Sequence, residues 1–307
     1  MKGTVIKSTG SFYDVADDTG NVFVCKIRGQ LRLKTFEATN PIVVGDKVEI
    51  EFEEGTANSA TIINLLERKN YIQRKSVNLS KQRHIMAANI DHAFVIASPL
   101  LPKTSTGFID RFLATAQAYS IPGGIIFNKS DLYSEQQQQK VESLKKLYDG
   151  IGYPSVIISA LNQKDISGLR DLISGKVNLF SGHSGVGKST IINAIVPGLN
   201  IKTQNISGRH QTGIHTTTFA EMHPLPNGGF IIDTPGIREF GIIDFDKKEV
   251  SHFFPEIFST GRNCQFNNCV HVNELNCAVI DGLLNGTISQ SRYESYLSIF
   301  YNEDTFR

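Results

Sequence analysis

Apolar residues follow two different spacings along this chain, and each spacing predicts a different kind of fold. In residues 47–53, Val48, Ile50 and Phe52 alternate with charged residues, the period of two that is typical of a strand with one buried face. Further strand-like runs separated by turns lie at residues 4–6, 12–15, 22–27 and 61–66. Short strands this closely spaced predict a small β-barrel of the OB-fold type. Such a barrel either binds oligonucleotides or only packs against its neighbour, because barrel shape does not fix function.

From residue 88 onward, strand-like runs alternate with segments of helical spacing. The apolar runs are residues 93–97, 125–127, 155–159 and 176–180. One helix is predicted by apolar residues three and four positions apart: Ile109, Phe112, Leu113 and Ala116. A second, over 134–148, begins with a capping box formed by Ser134 and Gln137. This alternation predicts an α/β fold with a mostly parallel sheet, helices on both faces and ligands at the carboxyl ends of the strands.

The last third of the chain begins with a polar, turn-rich stretch over residues 200–218. The runs 219–225 and 230–233, joined by the turn at 226–229, predict a β-hairpin. Helices are predicted over 278–284 and 290–301, the second with Tyr293, Leu297 and Phe300 on one face.

The overall composition does not restrict the class of partner, but one segment of the chain is strongly basic. The chain has 307 residues, of which 40% are hydrophobic, and its 31 basic and 30 acidic residues nearly cancel, so net charge says nothing about partners. Residues 68–83 contain no acid but six basic residues, and three more lie in the barrel region: Arg68, Lys69, Arg74, Lys75, Lys81 and Arg83, with Arg28, Arg32 and Lys34. This charge suits a phosphate backbone, although a solvated linker is the commoner interpretation.

No apolar run approaches the length of a membrane span, and the first residues lack the apolar core of a secretory signal, so we expect a cytoplasmic protein with no membrane partner. Cys25 stands alone, whereas the other cysteines follow the spacing Cys264-x₄-Cys269-x-His271-x₅-Cys277. Three thiolates and an imidazole suit a closed, structural zinc site, with a core cluster of free thiols as the alternative. His252 is a more distant substitute ligand.

A phosphate-binding loop is predicted where an apolar run, residues 177–180, is followed by the complete pattern G-x-x-x-x-G-K-S and a helical segment. Backbone N–H groups of such a loop surround phosphate oxygens, Lys188 reaches the terminal phosphates, and the Ser189 hydroxyl ligates Mg²⁺. The alternative is a glycine-rich turn that binds nothing. The predicted nucleotide-binding residues of this segment are Gly182, His183, Ser184, Gly185, Val186, Gly187, Lys188, Ser189 and Thr190.

Two further motifs predict that the base is guanine. Asn128-Lys129-Ser130-Asp131 ends one strand, and its last carboxylate can accept hydrogens from guanine N1–H and the exocyclic amine. Adenine offers no such donors on that edge, so Asp131 buried against the base would discriminate strongly and disfavours an ATP-using kinase. Ser159-Ala160 ends the next strand and adds a backbone N–H toward the guanine oxygen. Without the other motifs, the first tetrapeptide would be an ordinary helix cap.

The segment Asp233-Thr234-Pro235-Gly236 also ends a strand, where Asp233 can hold Mg²⁺ through water and the Gly236 N–H can face the terminal phosphate. The guanine motifs precede the phosphate motifs in the chain, the reverse of the order in Ras-like GTPases. A circular permutation preserves the three-dimensional site while moving the termini, so the order predicts a permuted GTPase domain.

The barrel, the permuted order, the segments 213–218 and 233–241 and the cysteine-rich tail resemble the RsgA/YjeQ family of ribosome small subunit-dependent GTPases. The resemblance covers nearly the whole chain. It implies an OB-fold, a permuted GTPase domain and a zinc domain that dock on the small (30S) subunit and its 16S rRNA, near the decoding region, during late maturation. It also implies that the subunit stimulates hydrolysis.

Ile237 follows Asp233-Thr234-Pro235-Gly236, where Ras-like GTPases have a glutamine that orients the attacking water. We therefore expect slow hydrolysis in isolation. The resemblance implies a catalytic role for His215 beside Lys188, with His210 as a second candidate and a surface histidine as the alternative. One of Thr216, Thr217 and Thr218 is expected to complete the Mg²⁺ shell, and we assign Thr217.

These observations predict a monomeric GTPase with an OB-fold domain over 1–68, a permuted GTPase domain over 69–245 and a zinc-binding helical domain over 246–307. Its expected ligands are GTP or GDP with Mg²⁺ and one structural Zn²⁺. The alternative is an rRNA-binding module whose affinity is gated by nucleotide and whose turnover is incidental.

Overall fold

Five short strands at the N-terminus close into a barrel in the computed structural model, which describes residues 1–29, 41–52, 59–74, 84–201, 220–233 and 246–302. The strands are β1 (Lys2–Ser8), β2 (Tyr13–Ala16), β3 (Val22–Ile27), β4 (Lys47–Phe52) and β5 (Ser59–Leu65). Their order is β1-β2-β3-β5-β4, and antiparallel pairing of β4 with β1 closes the barrel. Alternate residues point inward, so Val5, Val15, Cys25, Ile50 and Ile62 form a dry core. The predicted barrel is confirmed.

The basic segment after the barrel forms a hairpin that the sequence analysis did not predict, β6 (Tyr71–Arg74) with β7 (His84–Ala88). Arg68 lies inside the fold, where its Nε and Nη2 donate to the two carboxylate oxygens of Asp46 over 2.7 and 2.8 Å. Burial raises the pKa of Asp46, and the Arg68 guanidinium opposes that rise. Lys69 pairs with Asp91 at 3.2 Å.

The interpretation of Arg68 as part of an RNA-facing basic run is therefore wrong. Acids distant in the sequence pair with the first two members of that run. Lys75, Lys81 and Arg83 lie outside the described residues, as do Arg32 and Lys34.

The central sheet contains β8 (His92–Ala97), β9 (Gly123–Phe127), β10 (Ser155–Ile157), β11 (Lys176–Gly182), β12 (Glu221–Pro224) and β13 (Gly229–Asp233). The order is β10-β9-β8-β11-β13-β12. All neighbours are parallel except the predicted hairpin of β12 and β13. The carboxyl ends of the parallel strands consequently lie along one edge, which is where the predicted motifs occur.

Helices cover both faces of this sheet, as predicted. They are α1 (Thr106–Ala118), α2 (Glu135–Ile151), α3 (Gln163–Ile173) and α4 (Lys188–Ile195). α1 and α2 pack on the face that presents Val95 and Ala97, whereas α3 and α4 pack on the face of Phe94 and Ile96. The predicted capping box of Ser134 and Gln137 begins α2.

The barrel and the central sheet are continuous. Lys7 of β1 pairs with Glu221 of β12, and the Lys7 Nζ lies 2.8 Å from the Glu221 Oε1. β1 thus belongs to both units and covers the outer edge of the hairpin formed by β12 and β13.

The C-terminal region is helical, with α5 (Pro255–Gly261), α6 (Ala278–Leu284) and α7 (Gln290–Phe300). Tyr293 is buried in its core, with Leu297 and Phe300 partly buried against the same cluster, as the predicted helix face requires. Ala114 of α1 belongs to this cluster too, so α1 packs against both the central sheet and the C-terminal region. Among the described residues, no helix has both the length and the apolar composition needed to cross a bilayer.

Candidate functional site

The predicted phosphate loop connects the end of β11 at Gly182 to the start of α4 at Lys188. Gly187 has a φ of +101°, and a Cβ there would lie 2.2 Å from the Asn128 Nδ2. Gly182 is as confined, because a Cβ there would lie 2.7 Å from the Ile96 carbonyl oxygen. Gly187 requires glycine because of its positive φ and the adjacent Asn128 side chain, and Gly182 because the backbone of β8 lies against it.

Asn128 joins three of the predicted segments through one side chain. It is buried, with 1% of its surface exposed. Its Nδ2 donates to the Val186 carbonyl over 3.0 Å, and its Oδ1 accepts from the Ala160 N–H over 3.1 Å. The structure therefore brings the predicted guanine motifs against the phosphate loop, although Asn128 and Val186 are 58 residues apart in the chain.

The other guanine-motif residues surround Asn128. Lys129 adopts a left-handed conformation with a φ of +70°, and its Nζ donates to the Leu101 carbonyl over 3.0 Å. Asp131 lies in a short 3-10 turn, Ser130–Leu132, and its side chain is exposed. The Ser159 N–H donates to Asp165 over 2.8 Å, which fixes the loop that carries Ala160. Asp131 is thus accessible at the rim of the site, whereas Asn128 lies beneath it.

The Lys188 ammonium, at the start of α4, lies 2.9 Å from the Asp233 carboxylate at the end of β13, measured between Nζ and Oδ1. Phe180 of β11 is in register with Asp233 of β13, which explains why the two groups converge. Ser189 and Thr190 follow in the first turn of α4. The predicted Gly236, Thr217, His215 and His210, and also Ile237, lie outside the described residues.

The sequence analysis missed one aromatic contact to the phosphate loop. The Phe108 and His183 rings lie 4.0 Å apart between centroids, with 32° between their planes. Phe108 precedes Phe112 by one helical turn in α1, and α1 follows the carboxyl end of β8. That spacing was a usable signal, because it extends the apolar face of α1 to the ligand edge of the sheet.

The predicted metal ligands form a cluster in the C-terminal region. One ligand atom from each of Cys264, Cys269, His271 and Cys277 lies within 4.8 Å of the others. The His271 Nδ1 is 3.5 Å from the Sγ atoms of Cys264 and Cys277, and those two Sγ atoms are 3.9 Å apart. With bond lengths of about 2.3 Å for Zn–S and 2.0 Å for Zn–N, a tetrahedral ion requires edges of about 3.5 to 3.8 Å. The cluster fits zinc.

Burial shifts the pKa values of the metal-free ligands toward their neutral forms. Burial, aided by the neighbouring thiols, raises the pKa of the Cys269 thiol to about 12, and burial lowers the pKa of His271. A divalent ion would stabilise the thiolates, and a neutral imidazole is the form that ligates metal. His252 does not join the cluster: its ring packs edge-on against Phe258, 4.8 Å between centroids. The prediction of His252 as a substitute ligand is wrong.

Glu274 shapes the loop that carries the metal ligands. Its carboxylate accepts from the N–H groups of Val270, Val272 and Asn273 over 2.7, 2.8 and 3.1 Å. Burial would raise the pKa of Glu274, but these donors lower it overall. The Tyr293 hydroxyl donates to the His271 carbonyl over 2.8 Å and connects this loop to α7.

Comparisons with known proteins give matches over nearly the whole chain. The family model described as RsgA N-terminal domain matches residues 2–61, and the model described as RsgA GTPase matches residues 65–243. The small ribosomal subunit biogenesis GTPase RsgA of Bacteroides fragilis is 52% identical over 99% of this chain and 97% of its own. The protein of the same name from Christiangramia forsetii is 48% identical, with the same coverage of each chain.

Two solved structures have the same fold. YjeQ from Thermotoga maritima matches with a TM-score of 0.81 and 35% identity, covering 100% of this chain and 99% of its own. YloQ, described as a circularly permuted GTPase, matches with a TM-score of 0.77 and 27% identity over 98% of this chain and 94% of its own.

Proposed function

Because this chain belongs to the RsgA family of GTPases, we propose that it binds and hydrolyses GTP as a late biogenesis factor of the small ribosomal subunit. The observation that carries the proposal is the Asn128 side chain, which bonds to both the phosphate loop and the Ala160 loop. A buried amide in that position would hold the proposed base-reading and phosphate-binding segments against each other.

Each predicted group has a defined task in this proposal. Asp131 selects guanine, and the phosphate-loop amides with Lys188 hold the phosphates. The Ala160 N–H donates to Asn128 in this structure, so it would contact the guanine oxygen by exchanging that acceptor. Ser189, Asp233 and Thr217 are assigned to Mg²⁺, which supplies charge neutralisation at the phosphates when bound. The 2.9 Å approach of Lys188 to Asp233 supports this assignment, since both groups then face the same end of the nucleotide.

Hydrolysis is proposed to be slow until the small subunit binds. Ile237 cannot orient water by hydrogen bonding, so a further group is required, and we assign His215 to that role. Replacing His215 with alanine should then remove stimulated turnover while sparing GTP affinity.

We further propose the division into an RNA-binding OB-fold domain over 1–68, a permuted GTPase domain over 69–245 and a zinc-binding domain over 246–307. The partners are the small subunit and its 16S rRNA, and the protein acts as a cytoplasmic monomer. The names of the relatives support the ribosomal partner. The four clustered ligands support one structural Zn²⁺, which leaves no open coordination position for metal chemistry.

A second candidate is an rRNA-binding module whose affinity is gated by nucleotide and whose turnover is incidental. The observation that favours it is Ile237 in place of the water-orienting glutamine. The two candidates differ in whether subunit binding accelerates hydrolysis, because gating alone requires no acceleration.

The deciding experiment measures phosphate release with purified small subunits, with large subunits and with neither. We expect acceleration of roughly tenfold or more with small subunits only, as for a GTPase supplied with a missing catalytic element. The Lys188→Ala variant should lose this turnover, whereas Lys164→Ala, an exposed lysine on α3, should keep it. Equal rates in all three mixtures would favour the gated module.

A further inference from the structure

The first turn of α1 holds the phosphate loop from the side. The Phe108 ring lies against the His183 ring, 4.0 Å between centroids, and His183 directly follows Gly182 at the start of the loop. The Ser105 hydroxyl caps α1 by accepting from the Phe108 N–H over 3.2 Å. The cap fixes the backbone of Phe108, so the position of its ring depends on the position of the helix.

Two residues further along, the same helix is anchored to the C-terminal region. The Asp110 carboxylate is fully buried and accepts from Arg292 Nη1 over 2.8 Å and from the Ser295 hydroxyl over 2.6 Å, both on α7. Tyr148 of α2 donates a third hydrogen bond, over 2.8 Å. Asp110 therefore connects α1 to the C-terminal helix, and loss of one partner would leave a buried charge without compensation.

Two carboxylates and an aromatic ring surround the Arg292 guanidinium. Its Nε and Nη2 bind the two carboxylate oxygens of Glu256 over 2.6 and 3.1 Å, and its guanidinium lies 4.5 Å from the Phe254 ring centroid. Burial would lower the pKa of Arg292, but Asp110 and Glu256 raise it overall, so the side chain is charged. Tyr293, the next residue, bonds to the carbonyl of the metal ligand His271. A shift of the metal loop therefore acts on α7 at the residue beside Arg292.

We propose that Phe108 is a positioning residue for the phosphate loop, and that α1 couples this loop to the C-terminal metal domain through Asp110 and Arg292. The proposal rests on the proposed function in that the coupled site binds guanine nucleotide. Docking of the C-terminal domain on a partner would then alter nucleotide affinity. By linkage, nucleotide would alter the affinity of the C-terminal domain for that partner by the same factor.

The first test replaces the ring. Phe108→Leu removes the aromatic contact, whereas Phe108→Tyr keeps it and should rescue. Phe112→Leu makes the same change one turn along the helix, against the central sheet. With a fluorescent GDP analogue as the probe, we expect roughly fivefold to twentyfold weaker binding for Phe108→Leu and less than twofold change for the other two. Equal weakening by Phe108→Leu and Phe112→Leu would overturn the positioning role.

The second test is a double-mutant cycle with Arg292→Lys, which keeps the charge and loses the two-point contact to Glu256. We expect roughly threefold to tenfold weaker GDP-analogue binding when Phe108 is present and less than twofold when leucine replaces it. Additive effects would overturn the coupling. Ser295→Ala, which removes one hydrogen bond to Asp110, gives the same cycle with a smaller change should Arg292→Lys fail to fold.

A third readout separates this proposal from the proposed function. The Phe108 ring current displaces the His183 imidazole proton resonances, which can be followed by NMR in nucleotide-free protein. We expect both Phe108→Leu and Arg292→Lys to move these resonances. Unmoved resonances in Arg292→Lys would overturn the coupling, whereas moved resonances in a protein that binds no guanine nucleotide would overturn the proposed function alone.

Discussion

The candidate metal site and the candidate nucleotide site are built from the chain in different ways. All four metal ligands come from the short segment 264–277. The nucleotide groups come from segments between residues 128 and 233 and meet only because β9, β10, β11 and β13 end along one edge of a sheet. The first site is local in sequence, and the second is assembled by strand order.

This difference has an energetic consequence. Residues 262–277 form no strand or helix, so no backbone ladder holds the four ligands together and a bound metal ion would contribute directly to the folding of this loop. The described part of the nucleotide site, which includes residues 128–131, 159–160, 182–190 and 233, is held by a buried apolar sheet and by Asn128 rather than by a ligand. Substitutions should therefore have different effects at the two sites: loss of local folding at the metal site, and loss of affinity with the fold retained at the nucleotide site.

The largest effect is expected from Cys277→Ala. Removing one of four ligands should weaken zinc binding by at least roughly a thousandfold and loosen the C-terminal helices, because binding energy and folding energy are linked here. Metal content and circular dichroism measure the two consequences. Cys25→Ala, at a buried cysteine of the barrel core, is the matched control and should keep its zinc. A fully helical, metal-free Cys277→Ala protein would remove the contrast between the sites.

The next effect concerns base selection. Asp131→Asn should lower the preference for GTP over ATP by roughly a hundredfold or more, because the introduced amide cannot accept from both guanine donors. The melting temperature should change little, since Asp131 is exposed. Competition binding with both nucleotides is the measurement, and Asp171→Asn, at an exposed carboxylate on α3, is the control. An unchanged preference would mean that this segment does not contact the base.

A smaller effect is expected from Asn128→Ala, which tests whether this side chain holds the segments of the nucleotide site together. It leaves the Val186 carbonyl and the Ala160 N–H without their partner, which costs about 1 to 3 kcal/mol and should weaken GDP binding roughly tenfold to a hundredfold. Asn193→Ala is the control. Asn193 lies near the C-terminal end of α4, and its side chain makes two similar bonds to the backbone of Ile201. Calorimetry should find lower stability in both variants but weaker GDP binding only in the first.

The smallest effect is expected from Glu274→Gln in the metal loop. The amide offers one acceptor oxygen in place of the two that receive three backbone N–H groups, so zinc affinity should fall roughly threefold to tenfold. Glu294→Gln on the exposed face of α7 is the control. Because the donors lower the pKa of Glu274, its stabilisation is present above the unfolded carboxyl pKa and is lost as pH falls through the folded pKa.

The sequence predicted features with local periodicity more completely than features that depend on tertiary contact. The helices over 278–284 and 290–300, the capping box at Ser134 and the metal spacing follow from neighbouring residues. The pairing of Arg68 with Asp46 could not be read from a basic run, because the acid lies 22 residues earlier. The contact between Arg292 and Asp110 spans 182 residues and involves a buried charge pair, which no periodicity indicates.

The nucleotide site falls between these cases. Motif spacing predicted which segments belong to it, and strand order brought them together, but the Phe108 contact depends on where a helix begins relative to the sheet. The assignments of His215, Thr217 and Gly236 lie outside the described residues and stay predictions.

Sheet order and chain order together determine when each strand can meet its neighbours during synthesis. β8 lies between β9 and β11, and β11 begins roughly 80 residues after β8 ends, which is roughly 4 to 16 s at the usual rate of translation. Until then β8 can pair with β9 along one edge only, and its other edge is open to any nascent strand nearby. This chain order thus leaves one edge of β8 open to misassociation for that interval, and slower elongation between these strands would prolong it.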